Sequence, residues 1–76
     1  MPTKQWLLDN YDSAKGILDY AVANHNTSSN LVHVKHSGGS VVVRCKDATN
    51  PETVYDGSGA TKYEAMADCI STQFPG

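Results

Sequence analysis

The stretch Leu31-Val32-His33-Val34-Lys35-His36-Ser37-Gly38-Gly39-Ser40-Val41-Val42-Val43-Arg44-Cys45-Lys46 decides the fold. Two runs rich in β-branched residues flank Gly38-Gly39, and paired glycines supply the positive φ angles that a two-residue hairpin turn demands. Setting Ser37 opposite Ser40 fixes the register. His36 then faces Val41, Lys35 faces Val42, Val34 faces Val43, His33 faces Arg44 and Val32 faces Cys45. Side chains alternate along a strand, so Val32, Val34, Val41, Val43 and Cys45 share one face. His33, Lys35, Arg44 and Lys46 share the other, together with Leu31 and Val42. The first face is apolar enough to be core. The second gathers three of the six Lys and Arg residues of the chain, and is expected to stay in water and touch a partner.

Upstream of the hairpin, Leu7, Tyr11, Ala14, Leu18, Ala21 and Val22 recur at three- and four-residue spacing, with Ile17 widening the stripe. The pattern predicts helix over residues 3–24 with Thr3 as N-cap. It admits either one helix or a break near Asn10-Tyr11-Asp12, with Asp12 capping a second. Gly16 in a helix interior costs about 1 kcal/mol relative to alanine and points to close packing there. The run from Asn24 to Asn30 reads as a polar loop, and Asp47 to Glu52 as a second connection with Asn50-Pro51 at its corner. Thr53-Val54-Tyr55 is a short third strand bounded by Asp56-Gly57-Ser58-Gly59. Residues 60–73 form a last helix whose stripe is Tyr63, Met66, Ala67, Ile70 and Phe74, with Ala65 and Cys69 beside it, before Pro75-Gly76.

The order is α-β-β-β-α, an α+β class fold in a single domain spanning 1–76. A three-stranded antiparallel sheet must cover its apolar face, and two amphipathic helices on that face do so. Asp9, Asp12, Asp19, Glu64 and Asp68 fall on the outer helix surfaces, which predicts a basic sheet and acidic helices. With 76 residues and a net charge of −2, the chain has room for one core and no global attraction for nucleic acid or anionic membrane. Its apolar runs are too short for a membrane span. Trp6-Leu7-Leu8 is cut off at once by Asp9 and Asn10, so no signal-peptide core is seen and a reducing cytoplasm is the expected compartment. Cys45 and Cys69 are then expected as free thiols packed as small hydrophobes, with a disulfide between them as the lesser alternative.

The candidate chemistry is sparse. His33 and His36 stand three apart, so on a strand they point to opposite faces and cannot share a metal ion. Neither cysteine restores a recognised ligand spacing, so no metal or other cofactor is expected. A Cys-His nucleophile needs an exposed thiol beside a base, whereas Cys45 lies on the core face and Cys69 beside the buried stripe. Gly57-Ser58-Gly59 is one residue too tight for a nucleophile elbow. No catalysis is expected. One further feature invites a ligand: glycines ahead of a helix expose backbone N–H groups, and with Lys62 nearby Gly57, Ser58 and Gly59 are a candidate phosphate-docking turn. The alternative is a plain strand-to-helix connection.

The segment Gly57-Ser58-Gly59-Ala60-Thr61-Lys62-Tyr63-Glu64-Ala65-Met66, taken with the element order, resembles double-stranded RNA-binding domains. Their second helix opens on a glycine-rich turn, then a Ser/Thr-Lys-Lys-x-Ala-Lys pattern and a pair of alanines. Here the glycines, Thr61, Lys62 and Ala65 match. Tyr63 and Met66 replace two lysines, Cys69-Ile70 replace the alanine pair, and Gly38-Gly39 replaces a histidine-bearing loop. The resemblance implies an αβββα fold and phosphate contacts from the helix start, of which Lys62 alone would remain. In size, lone-domain format and mild acidity the chain also resembles the small inhibitors that phages encode against host defence, anti-CRISPR proteins among them. That resemblance implies a binder acting in the host cytoplasm.

Two function classes therefore stand. The first is a non-enzymatic protein-binding module, in type a phage inhibitor that blocks a host complex. It would meet an acidic protein surface through His33, Lys35, Val42, Arg44 and Lys46, with Trp6 and Tyr20 as added anchors if exposed rather than core. The alternative is nucleic-acid binding through the same face or through Gly57 to Lys62.

Overall fold

The computed structural model describes residues 3–25, 31–46 and 52–73, leaving out the side chains of His25, Leu31, Val32 and His33. The expected Asn50-Pro51 corner, most of the loop ending at Asn30, Phe74 and Pro75-Gly76 lie outside the described residues. Six elements follow in order: α1 (Lys4–Asn10), α2 (Ala14–His25), β1 (Leu31–Ser37), β2 (Ser40–Lys46), β3 (Val54–Gly59) and α3 (Lys62–Gln73). The three strands form one antiparallel sheet in the order β1-β2-β3. This is the α+β, α-β-β-β-α layout expected, with its first helix in two pieces.

The hairpin holds the predicted register from His33↔Arg44 through Ser37↔Ser40. Gly38 and Gly39 take φ of +53° and +84°, the left-handed pair that such a turn requires. The register fails at the start of β1. Leu31, not Val32, pairs with Cys45, because the ladder slips between Leu31 and His33. One extra residue in a strand reverses the face of everything before it. The register of Leu31 thus departs from the one expected.

Tyr11 breaks the first helix with extended backbone, φ −130° and ψ 145°. Thr3 caps α1 as expected, its Oγ1 accepting from Trp6 N at 3.0 Å. The second cap is Ser13 and not Asp12: Gly16 N donates to Ser13 Oγ at 3.0 Å, and Ile17 N donates to Ser13 O at 3.2 Å. A distant residue secures the break. The Tyr63 hydroxyl of α3 lies 2.5 Å from Leu8 O and 2.6 Å from Tyr11 O, in reach of two carbonyls that a continuous helix would have used internally.

The largest correction concerns the third strand. It runs over Val54–Gly59, so Asp56-Gly57-Ser58-Gly59 is sheet and not turn. Val43 pairs with Gly57 and Val41 with Gly59, which sets both glycines on the core face. There α3 lies directly on them. A Cβ built at Gly57 would sit 2.2 Å from Cys69 N and 2.4 Å from Ala65 O, and one at Gly59 would sit 2.6 Å from Glu64 Cβ. The glycines are present for close approach of a helix, not for a bend. α3 packs on β3 and β2, and α1 and α2 pack against α3. Leu7, Ile17, Val43, Cys45, Met66, Cys69 and Ile70 are fully buried between these layers.

Candidate functional site

The face of the sheet turned away from α3 is built by alternation. From β1 it takes Lys35, from β2 Val42, Arg44 and Lys46, and from β3 Val54, Asp56 and Ser58, paired as Lys35↔Val42↔Ser58, Arg44↔Asp56 and Lys46↔Val54. His33 joins by register opposite Arg44; its side chain lies outside the described ones. Lys35, Arg44 and Lys46 are exposed and Val42 half-buried, whereas Val41, Val43 and Cys45 on the opposite face are buried. The predicted sorting of β2 is thus what the strand shows.

The charge on this face differs from expectation. Asp56, expected in a turn, stands directly across from Arg44. Arg44 Nε donates to Asp56 Oδ1 at 2.8 Å and Arg44 Nη2 to Oδ2 at 3.1 Å, a bidentate pair with both side chains about half exposed. The hydrogen bond from Arg44 holds the Asp56 carboxyl below its ordinary range and raises the guanidinium in turn. Arg44 is therefore no free cation. Lys35 and Lys46 form no salt bridge with another described residue and carry the positive character of the face. Val54, inside the expected third strand but given no face there, is 46% exposed and lies beside Lys46. The period-two small residues at 57 and 59 were the signal that could have extended β3 and found Asp56.

The candidate phosphate turn is not assembled. Gly57, Ser58 and Gly59 lie in β3, and the N–H groups that would meet an anion are engaged. Ser58 N donates to Asp68 Oδ2 at 2.9 Å and Ala60 N to Glu64 Oε2 at 2.9 Å. Thr61 caps α3 through Glu64 N at 3.2 Å. Two carboxylates occupy the place a phosphate would take, and they repel it. Lys62 is exposed but faces another way: it lines a depression of about 260 Å³ between α2 and α3, with Ala14, Lys15, Leu18 and Met66. Glu64 and Asp68 are thus turned toward β3 and not displayed on an acidic helix surface. Among the other helix acids, Asp19 is paired with Lys15 at 2.8 Å, and Asp9 accepts from Gln5 at 2.8 Å.

Trp6 and Tyr20 are neither core nor isolated. Trp6 is 40% exposed and packs with Tyr11 and Tyr20 in a three-ring cluster, centroids 5.4 to 6.1 Å apart. The rings meet at tilted and edge-on angles of 44° to 65°. The two thiols are buried as expected: Cys45 and Cys69 have no exposed surface and are free. Among the described residues no group of three His, Cys, Asp or Glu side chains converges on a metal-sized site, and no helix is long and apolar enough to cross a membrane. No family model, curated protein or solved structure matches the chain.

Proposed function

We propose that this protein is a non-enzymatic protein-binding module whose docking surface is the open face of the sheet, in type an inhibitor of the phage-encoded kind that occludes a host complex in the cytoplasm. One observation carries the reading. An antiparallel face offers two apolar side chains, Val42 and Val54, together with the ammonium groups of Lys35 and Lys46, which form no salt bridge with another described residue, around the Arg44–Asp56 pair. Apolar side chains interspersed with cations across one face fit an acidic protein surface. The partner contacts are then Lys35, Val42, Lys46 and Val54, with Arg44 between them and His33 opposite it by register. The burial of both thiols keeps them from acting as surface nucleophiles, which favours binding over catalysis.

Nucleic-acid binding is the competing outcome, and the engagement of Ser58 N and Ala60 N by carboxylates weighs against it. The experiment is affinity capture from host extract with wild type and with a Lys35→Glu/Lys46→Glu variant of unchanged circular dichroism. A partner band lost with the variant and indifferent to nuclease supports the proposal. Equal capture by both proteins, or micromolar binding to duplex RNA that Lys62→Ala abolishes, overturns it.

A further inference from the structure

The chain has two cysteines, 24 positions apart, and the fold brings them together. Cys45 lies on the core face of the central strand opposite Tyr55, and Cys69 of α3 donates its thiol to Tyr55 O at 3.4 Å. The backbone of Cys69 is pressed onto β3 at Gly57, one core-face position along from Tyr55. That placement sets the Cys69 thiol on the core face of the sheet at Tyr55, the cross-strand partner of Cys45. Both thiols are fully buried.

We infer that Cys45 and Cys69 form a latent disulfide, a site of thiol oxidation that ties α3 to the central strand of the sheet. Burial of both thiols shields the folded pair from direct attack. Reaction follows transient lifting of the end of α3. With glutathione disulfide as oxidant, one protein thiolate attacks it, forming a mixed disulfide and releasing one glutathione. The second protein thiolate then attacks the protein sulfur of that mixed disulfide and releases the other glutathione. Two protein S–H bonds are lost, one S–S bond forms, and the disulfide is reduced to two glutathione thiols.

The bond closes a ring containing β3 and most of α3, which restricts the unfolded chain and leaves the sheet's open face untouched. The test incubates the purified protein with glutathione disulfide in sub-denaturing urea and compares it with a dithiothreitol-treated sample. The expected product is a monomer lighter by two hydrogens, with no alkylatable thiol after unfolding and unchanged circular dichroism. Its Tm is expected to rise by about 10 °C or more and to return on reduction. Cys69→Ser abolishes the product. Persistent glutathione adducts, disulfide-linked dimers, two alkylatable thiols after treatment, or an internal disulfide that lowers Tm would each overturn the inference.

Discussion

Replacing Gly57 with alanine tests the close approach on which the whole helical layer depends. The new Cβ would meet Cys69 N at 2.2 Å and Ala65 O at 2.4 Å, whereas ordinary contact begins near 3.4 Å. Both neighbours are helix backbone, so no side chain can swing aside. α3 must retreat by about 1 Å, and a gap of that size forfeits a quarter to a half of each contact it opens. Overpacking of this kind costs about 1–3 kcal/mol, and a clash against backbone falls at the upper end. A domain of this size has roughly 4–11 kcal/mol in all. At about 4–8 °C per kcal/mol, Gly57→Ala lowers Tm by roughly 12–24 °C. The internal control is Gly38→Ala. Nothing lies within 4 Å of its Cβ, and its cost is the left-handed φ of +53°, about 1–2 kcal/mol. Thermal and urea melts of both variants decide the matter. If Gly57→Ala melts within a few degrees of wild type, or above Gly38→Ala, the packing of α3 on β3 is wrong.

Tyr63→Phe removes the hydroxyl that reaches Leu8 O and Tyr11 O; we expect a loss of about 1–3 kcal/mol in urea unfolding, with hydrogen-exchange protection falling first in α1. Val43→Asp puts an unpaired charge at a fully buried position and unfolds the domain by circular dichroism, whereas Val34→Asp, on a half-buried edge-strand position, leaves a folded but weakened protein. The carboxyl of Asp56 titrates below its unfolded value, so its contribution is complete above the unfolded pKa near 3.8 and is lost as pH falls through the lower folded value. Melts of wild type and Asp56→Asn taken from pH 5 downward should therefore converge in the acid window; a constant gap between them would exclude the Arg44 pair as the cause.

Much of the fold was legible because the hairpin writes itself twice, once in the diglycine and once in alternation. The same two signals fixed the face of every β2 residue. The slip at Val32 was not legible, since a bulge leaves no residue signature when Leu31 and Val32 are both apolar. The break at Tyr11 stood in the sequence as one of two open readings. Local sequence allowed it, but the Tyr63 hydroxyl that stabilises it sits 52 positions away. In β3 the misreading had one cause: glycine serves both bends and close contacts, and Asp56-Gly57-Ser58-Gly59 looks like the first until a helix is laid across it.

That misreading also changed the candidate site, and the change has a consequence for how the surface must be probed. With Asp56 in a turn, Arg44 is the natural charge to reverse. With Asp56 across the ladder, Arg44→Glu would set two carboxylates directly opposite each other, a cross-strand repulsion of about 0.2–1 kcal/mol, and would remove a bidentate pair as well. A loss of partner capture in that variant would then report on the sheet as much as on the interface. Lys35 stands opposite Val42 and Lys46 opposite Val54, so neither charge has an ionic partner across the strand to disturb. Reversal at those two positions changes the field a partner meets while leaving the ladder as it is. The binding reading therefore stands or falls on the lysines, and the arginine belongs to the scaffold that holds them apart.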